Sequence, residues 1–445
     1  MVKLLGKRSL KKFLAANPND KYIEVEITLM AFDRLGAIKE IGEMDIPVKR
    51  SAIAYAHMRD PALLRYYYNA KTMHILKSSE IVGSSPTDIF IGRFGYPKVF
   101  IGPMVPPEFG DTSLMGMPER WRPFGIEKIV EMRSKLVRGM QISNIHDVEK
   151  RGVPEFVQSL AMAEKPADTE LGFAGKPFMK PEVLDEAQPF GPSAKIRDFK
   201  VYNFKADRMI ESMHFDTDAK ATTAINELYK KGMEVSSIQK ALSAGLFGLK
   251  NSRKFVPTRW SITAVDDTIS KTMREEIKGY GSIDAIHAFY NVALDNRWLI
   301  FLIPGSWQYE SIEAFYPKTV WNADGKSISI YGSYEGYKGR KTYAEIGGCY
   351  YSGRLATTEK LQGMKKQAMA LILREVHEGY IMPVGVWNVR EHVRETLETK
   401  PTILHDTAEM LQFISQKMEI KPANWIANSR LLREIIMQKR ISSYV

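Results

Sequence analysis

The stretch Trp298–Pro304, WLIFLIP, is the longest apolar run in the chain. It is far shorter than the roughly 20 residues that a helix needs to cross a membrane. An apolar run of this length without polar alternation is typical of a strand buried on both faces of a sheet. The sequence therefore predicts a sheet that is covered on both sides, and it predicts no membrane association.

The segments that follow this run predict further strands and helices. Ser327–Tyr337 alternates as a strand of an antiparallel sheet does, and the stretch from Gly347 through Arg374 has the period of an amphipathic helix. Tyr380–Val389 predicts another strand, and Asn424–Gln438 predicts a last helix. Together these patterns predict an α+β fold with mixed or antiparallel sheets, packed helices, and an exposed peptide after the C-terminal helix.

In the first half of the chain, residues 89–101 predict a β-hairpin, because two β-rich runs flank a glycine-containing turn. Its tip would carry Arg93, Tyr96 and Lys98. A guanidinium, an aromatic ring and an ammonium so close together are suited to holding a phosphate and stacking a base. The alternative is a well-packed turn in which Arg93 pairs with a carboxylate such as Asp111.

Helical patterns and a proline-rich stretch follow the hairpin. Ile126–Met140 predicts an amphipathic helix with basic residues on its outer face. Pro166–Pro192 contains five prolines and predicts a long loop. Asp218–Lys231 and a short helix containing Lys240 have the spacing of a helix-turn-helix, although paired helices around a glycine are also a common packing unit.

Residues 255–268, FVPTRWSITAVDDT, predict a short β-like run that ends in Asp266 and Asp267. Adjacent carboxylates at a strand end can hold Mg²⁺ together with phosphate oxygens, and they can equally cap a following helix. The pair is the candidate catalytic site, with Mg²⁺ as a cofactor only if the protein is a nuclease. Arg259 and Arg354, the latter after a glycine pair, are candidate phosphate contacts.

Length, charge and cysteine content limit the classes of protein that fit this sequence. The 445 residues predict two or three domains. The formal net charge of +11 and the sequence pI near 9.3 favour an anionic partner such as nucleic acid, although a basic protein without one also fits. Cys349 is the only cysteine, so an internal disulfide is excluded and no zinc site of clustered Cys and His is expected.

The end of the chain, QKRISSYV, has Gln438 followed by Ile441 and Tyr444 at three-residue spacing. In a 3₁₀-like turn the two apolar side chains would project side by side as a plug. The pattern resembles the clamp-interacting peptide, or PIP motif, by which repair and replication proteins bind the sliding clamp PCNA. Val445 stands where a second aromatic residue is usual. The alternative is a frayed helix end or a tail folded onto its own domain.

Several long motifs resemble one family, the archaeal Nre DNA-repair proteins. They are GSSPTDIFIGRFGYPKVFIGP from Gly83, the downstream PPEFGDTS and PERW, VPTRWSITAVDD from Val256, GGCYYSGRLA from Gly347 and PVGVWNVRE from Pro383. The resemblance implies an N-terminal and a C-terminal Nre domain followed by a clamp-binding peptide. Many relatives carry a cysteine-rich zinc motif before the GSSP segment. This chain lacks those cysteines and has the basic segment Lys3–Lys12 instead.

The expected organisation has four parts: a basic N-terminal segment at 1–74, an Nre N-terminal domain at 75–320, an Nre C-terminal domain at 321–437, and the clamp-binding peptide at 438–445. The resemblance and the charge predict a DNA repair factor that PCNA recruits and that binds damaged or structured DNA. It would be cytoplasmic and associated with the nucleoid through the clamp. The alternatives are a metal-dependent nuclease or nucleotide-processing enzyme that uses Asp266 and Asp267, and a non-enzymatic adaptor. Whether the protein catalyses a reaction stays open.

Overall fold

The computed structural model describes residues 79–177, 188–322, 325–380 and 382–437. They form an α+β fold, as the sequence predicts, that divides into two compact units. Unit 1 is the described part of Met1–Ala224, Gln239–Thr258 and Ile381–Val384, and unit 2 is the described part of Ile225–Ile238, Arg259–Tyr380 and Gly385–Val445. Each unit contains one six-stranded sheet.

The sheet of unit 1 is mixed, with the order β1-β5-β6-β4-β3-β2. Its neighbouring strands are antiparallel except for β4 and β6, which run parallel. The hairpin predicted at 89–101 is confirmed as the β2–β3 pair. The strands are β1 Glu80–Ser85, β2 Ile89–Ile91, β3 Lys98–Val105, β4 Val137–Asn144, β5 Ala167–Phe173 and β6 Ser193–Tyr202.

Helices on this sheet cover its apolar side chains. α2 packs against β3 and β2, and the Phe156 ring of this helix stacks on Phe199 of β6 at a centroid distance of 4.4 Å. The helices that begin in unit 1 are α1 Ile126–Ser134, α2 Val153–Met162, α3 Arg208–Phe215, α4 Ala221–Lys230 and α6 Thr258–Ile277. α4 continues into unit 2, and only the first residue of α6 belongs to unit 1. α5 Val235–Ser243 begins in unit 2 and ends in unit 1.

Two predicted segments of unit 1 differ from the structure. The helix expected over 126–140 ends at Ser134, because residues 137–144 pair as β4 between β3 and β6. Pairing on both edges supplies backbone hydrogen bonds that override the local helical period. The loop expected over 166–192 contains strand β5, whose flanking prolines lie outside the paired residues.

The sheet of unit 2 has the order β10-β9-β11-β8-β7-β12, and only β9 and β11 are parallel neighbours. β8 lies inside the sheet and is buried along almost its whole length, which confirms the buried strand predicted at 298–304. The alternating stretch 327–337 is β10. The strands are β7 Ile286–Ala293, β8 Asn296–Ile303, β9 Gln308–Phe315, β10 Ser329–Glu335, β11 Met369–Val376 and β12 Thr402–Leu404.

Helices cover this second sheet on both faces. Leu299 and Phe301 of β8 belong to an apolar core with Phe413, Trp425 and Leu431 from the C-terminal helices. The opposite face of β8 carries Trp298, whose ring lies near His392. The helices of this unit, besides most of α6, are α7 Gly348–Met364, α8 Trp387–Glu398, α9 Thr407–Lys417, α10 Pro422–Asn428 and α11 Arg430–Met437.

Four predicted elements of unit 2 differ from the structure. The helix expected over 347–374 ends at Met364, because residues 369–376 form β11 between β8 and β9. The strand expected at 380–389 is replaced from Trp387 onward by α8, and the β-like run expected to end at Asp266 and Asp267 belongs to α6. The last helix is broken at Ser429 into α10 and α11.

The division of the chain at residue 320 stays a prediction, because units grouped by packing need not be independently folding domains. Within the described ranges, no helix has both the length and the apolar character that a bilayer crossing requires.

Candidate nucleic-acid interface

The tip of the β2–β3 hairpin in unit 1, residues 93–98, is exposed throughout. Gly95 has φ +82°, and the Lys98 N–H donates to the Gly95 carbonyl at 2.9 Å. A Cβ on residue 95 would lie 2.7 Å from the Lys98 carbonyl oxygen. The turn therefore requires glycine here, and this tight turn places the side chains on either side of Gly95 at the tip.

The tip carries two aromatic rings and two cations. Phe94 is 69% exposed and Tyr96 is 43% exposed. The Arg93 guanidinium lies 5.0 Å from the Phe94 ring centroid, and in the described part of the chain no carboxylate forms an ion pair with Arg93 or Lys98. Asp111, the alternative partner of Arg93, instead accepts a hydrogen bond from the Ser113 N–H at 3.0 Å.

Backbone hydrogen bonds connect the tip to two distant segments of unit 1. The Ile145 N–H donates to the Pro97 carbonyl at 3.0 Å, and the Phe255 N–H donates to the Ile145 carbonyl at 2.8 Å. Residues near 97, 145 and 255 are therefore successive neighbours in space.

The Lys250 N–H donates to the Thr217 carbonyl at 3.1 Å, which adds the segment before α4 to these three. Exposed cations follow the four segments, and we call them the basic strip: Arg93, Lys98, Lys150, Arg151, Lys220, Lys250 and Lys254. Lys150 pairs with Asp147 at 3.1 Å. The other acidic groups in these segments are Glu149, Asp216 and Asp218, all exposed. The cations outnumber the acidic groups, so the strip suits a polyanion such as a nucleic-acid backbone.

The other two candidate phosphate contacts lie in unit 2. Arg259 is half-buried in the first turn of α6. Arg354 is 1% exposed in α7, where its Nη1 donates to Glu335 at 2.8 Å and its Nη2 donates to Asp267. The guanidinium of Arg354 is therefore used inside the protein in this conformation.

Asp266 and Asp267 lie in the interior of α6, neither at a strand end nor at a helix cap. Asp266 is fully buried and accepts hydrogen bonds from Ser352 Oγ at 2.6 Å and from Arg390 Nη1 at 2.9 and 3.1 Å. Burial raises the pKa of Asp266, and the Arg390 guanidinium opposes that rise.

Asp267 is bound in the same way by cations of the protein, Lys271 at 2.6 Å and Arg354. Among the residues that the structure describes, no group of three or more His, Cys, Asp and Glu is arranged to hold a metal ion. A catalytic role for Asp266 and Asp267 stays a prediction.

The second helix of the proposed helix-turn-helix, α5, does not present a basic face. Most of its residues are buried, including Ile238 and Ala241. Lys240 is buried as well, and its Nζ donates to the Gly116 carbonyl at 3.2 Å and to Thr87 Oγ1 at 3.3 Å. The helix spacing at 218–243 therefore reflects packing, and it leaves no cation of α5 exposed to DNA.

The buried Lys240 predicts a pH dependence of stability. Burial lowers the pKa of Lys240 below its usual 10.5. Between the folded and unfolded pKa values the unfolded chain binds more protons, so the free energy of unfolding rises with pH over that interval. Lys240→Met should remove this rise in urea melts from neutral pH to pH about 10.5, whereas Lys128→Met, at an exposed site, should keep it. An equal rise in Lys240→Met would contradict the assignment.

The remaining candidate residues lie outside the described residues. They are the clamp-binding residues Gln438, Ile441, Tyr444 and Val445 and the basic segment Lys3–Lys12.

Sequence reasoning missed several groups of this surface. Phe94 stands inside the quoted motif between two glycines, and its position at a turn is a usable sequence signal for an exposed ring. Arg151, Lys220 and Lys254 gave no such signal, because only the sheet and the loops after it bring them to the same surface as the hairpin.

The fold and the site define an α+β protein with two six-stranded sheets. Its unit 1 exposes a hairpin tip that carries two cations and two aromatic rings. Residues 58–322 match the family model described as Archaeal Nre, N-terminal, and residues 335–444 match Archaeal Nre, C-terminal. The chain belongs to the archaeal Nre family.

Curated relatives agree with this assignment. The chain is 41% identical to DNA repair protein NreB of Archaeoglobus fulgidus over 355 residues, which covers 80% of this chain and 89% of the relative. It is 34% identical to DNA repair protein NreA of the same organism, with coverages of 81% and 90%. It is also 34% identical to NreA of Haloferax volcanii, with coverages of 73% and 79%. No solved structure matches the chain.

Proposed function

We propose that this chain is a DNA repair factor that binds damaged or structured DNA through the basic strip and is recruited by the sliding clamp PCNA through its last eight residues. A repair role is supported by its relatives, all three of which carry the name DNA repair protein. In this role the protein acts at the nucleoid, where the clamp encircles DNA.

The observation that carries DNA binding is the exposed hairpin tip. Structural cations on protein surfaces are often paired with carboxylates, but Arg93 and Lys98 have no such partner among the described residues. Phe94 and Tyr96 keep large exposed rings beside them. Exposed rings between uncompensated cations combine a stacking platform with a phosphate contact, which is the usual chemistry of single-strand recognition.

The experiment is a titration of labelled forked, nicked and duplex DNA by fluorescence anisotropy at several salt concentrations. Wild-type affinity should fall steeply with salt, because each phosphate contact releases counterions. The Arg93→Ala/Lys98→Ala variant should weaken binding to all three DNAs and make the logarithmic salt slope shallower by about 2. The Phe94→Ala/Tyr96→Ala variant should lose about 1–3 kcal/mol for each stacked base on the forked DNA and keep its salt slope.

The matched control is Lys128→Ala/Lys200→Ala, which removes two exposed cations of unit 1 that pair with Glu131 and Glu170 at 3.5 and 3.4 Å. This control should bind as the wild type does. A flat salt dependence of the wild type, or an equal loss in the control, would contradict the proposed surface. Adding Mg²⁺ to the same reactions and scoring for cleaved DNA tests the nuclease alternative.

A further inference from the structure

An open pocket of about 260 Å³ lies in unit 1 beside the basic strip, between the start of α4 and the segment 245–256. Its floor includes Leu242, Phe247 and Val256, and Leu249 stands at its mouth with 41% of its surface exposed. The pocket therefore offers an apolar floor to a ligand that enters from solvent.

Three cations surround this pocket, namely Lys220, Arg253 and Lys254. Arg253 donates to the carbonyls of His214 and Asp216 at 2.7 and 2.8 Å and to that of Gly248 at 2.8 Å. These hydrogen bonds fix the guanidinium in place without a carboxylate contact. None of the three cations forms an ion pair with another described residue, although the carboxylates of Asp216 and Glu149 act on Arg253 from a longer distance. The rim of the pocket can therefore attract an anion.

The apolar floor and the cationic rim together define the chemistry of the occupant. A nucleobase presents a flat, weakly polar face, and its flanking phosphates carry the negative charge. The hydrogen bond between Phe255 and Ile145 places this pocket next to the segment that contacts the hairpin tip. A DNA strand whose backbone follows the basic strip therefore passes the mouth of the pocket.

We propose that the pocket holds one unpaired base of single-stranded DNA, with Lys220, Arg253 and Lys254 on the adjoining phosphates. The inference rests on the proposed DNA binding and adds to it a site for a base. Such a site favours unpaired over duplex DNA, because a base must leave the stack to enter the pocket.

The test fills the pocket. Ser252 lines the pocket and its side chain is exposed, so Ser252→Trp places a large ring in the pocket and Ser252→Ala is the matched control. Two probes of about 12 nucleotides are compared with full-length protein, an oligothymidylate and an abasic strand with the same phosphates. Ser252→Trp should weaken oligothymidylate binding by about fivefold to 150-fold, the range for one stacked base, and leave the abasic strand unchanged. Ser252→Ala should bind both probes as the wild type does.

A second variant keeps the proposal testable if Ser252→Trp does not fold. Leu249→Asp places a negative charge at the mouth of the pocket and should weaken binding of both probes, more strongly for oligothymidylate. The proposed base site is rejected if wild-type protein binds DNA and Ser252→Trp, with an unchanged melting temperature, retains the wild-type affinity for oligothymidylate. It is also overturned if Ser252→Trp, with an unchanged melting temperature, loses both probes equally. Absence of wild-type DNA binding rejects the proposed function together with the pocket.

Discussion

Arg390→Ala should lower the free energy of unfolding by about 3–5 kcal/mol, because it leaves the carboxylate of Asp266 buried without its cation. Both side chains are at most 1% exposed, and the pair is joined at 2.9 and 3.1 Å. Ser352 Oγ would still donate a hydrogen bond to that carboxylate at 2.6 Å. A neutral serine donor does not replace a guanidinium charge in a medium of low dielectric constant.

Urea melts followed by tryptophan fluorescence measure this effect. Six of the seven tryptophans lie in unit 2, and only Trp121 lies in unit 1, so the signal reports mainly on unit 2. Arg93→Ala, at the exposed hairpin tip, is the control and should change stability by less than about 0.5 kcal/mol. A loss below about 1 kcal/mol for Arg390→Ala would contradict a buried, mutually dependent pair.

A double variant separates the charge from the packing. Asp266→Leu/Arg390→Met replaces the ion pair with apolar side chains and should be more stable than Arg390→Ala alone, because no charge is then buried without a partner. Cleavage of DNA by this double variant would also contradict a catalytic role of Asp266.

The second large effect is expected at the C-terminus. Ile441→Ala/Tyr444→Ala should weaken binding to purified PCNA by at least about 100-fold, because the two apolar side chains are the proposed anchors and such anchors each contribute about 2 kcal/mol or more. Isothermal titration calorimetry measures the affinity. Ser442→Ala/Ser443→Ala, which changes the two residues between the anchors, is the matched control and should bind PCNA normally.

Removing the last eight residues tests whether clamp binding and DNA binding belong to separate parts of the protein. Removing 438–445 should abolish PCNA binding and leave DNA affinity within about twofold of wild type, because the basic strip lies on unit 1. PCNA binding that survives in Ile441→Ala/Tyr444→Ala would contradict the clamp peptide. Joint loss of clamp and DNA binding would mean that the tail also takes part in the DNA contact.

Long-range contacts explain why several candidates differ from the sequence-based expectation. Asp266 and Asp267 were expected at the end of a β-like run, but they lie in the interior of α6 because that helix packs with partners far along the chain, among them Ser352 and Arg390. Arg354 follows a glycine pair, as an anion-binding arginine can, yet it is buried against Glu335. No local pattern specifies such partners.

The sequence alone determined the features that depend on neighbouring residues. The β2–β3 hairpin follows from two β-rich runs around a turn that needs Gly95, and β8 follows from an unbroken apolar run. The tertiary structure decided whether residues 137–144 and 369–376 became strands or extended a helix, since pairing within a sheet outweighs helical period. It alone brought residues near 97, 145, 220 and 255 to one surface, because contacts between residues so far apart in the chain depend on how the whole unit packs.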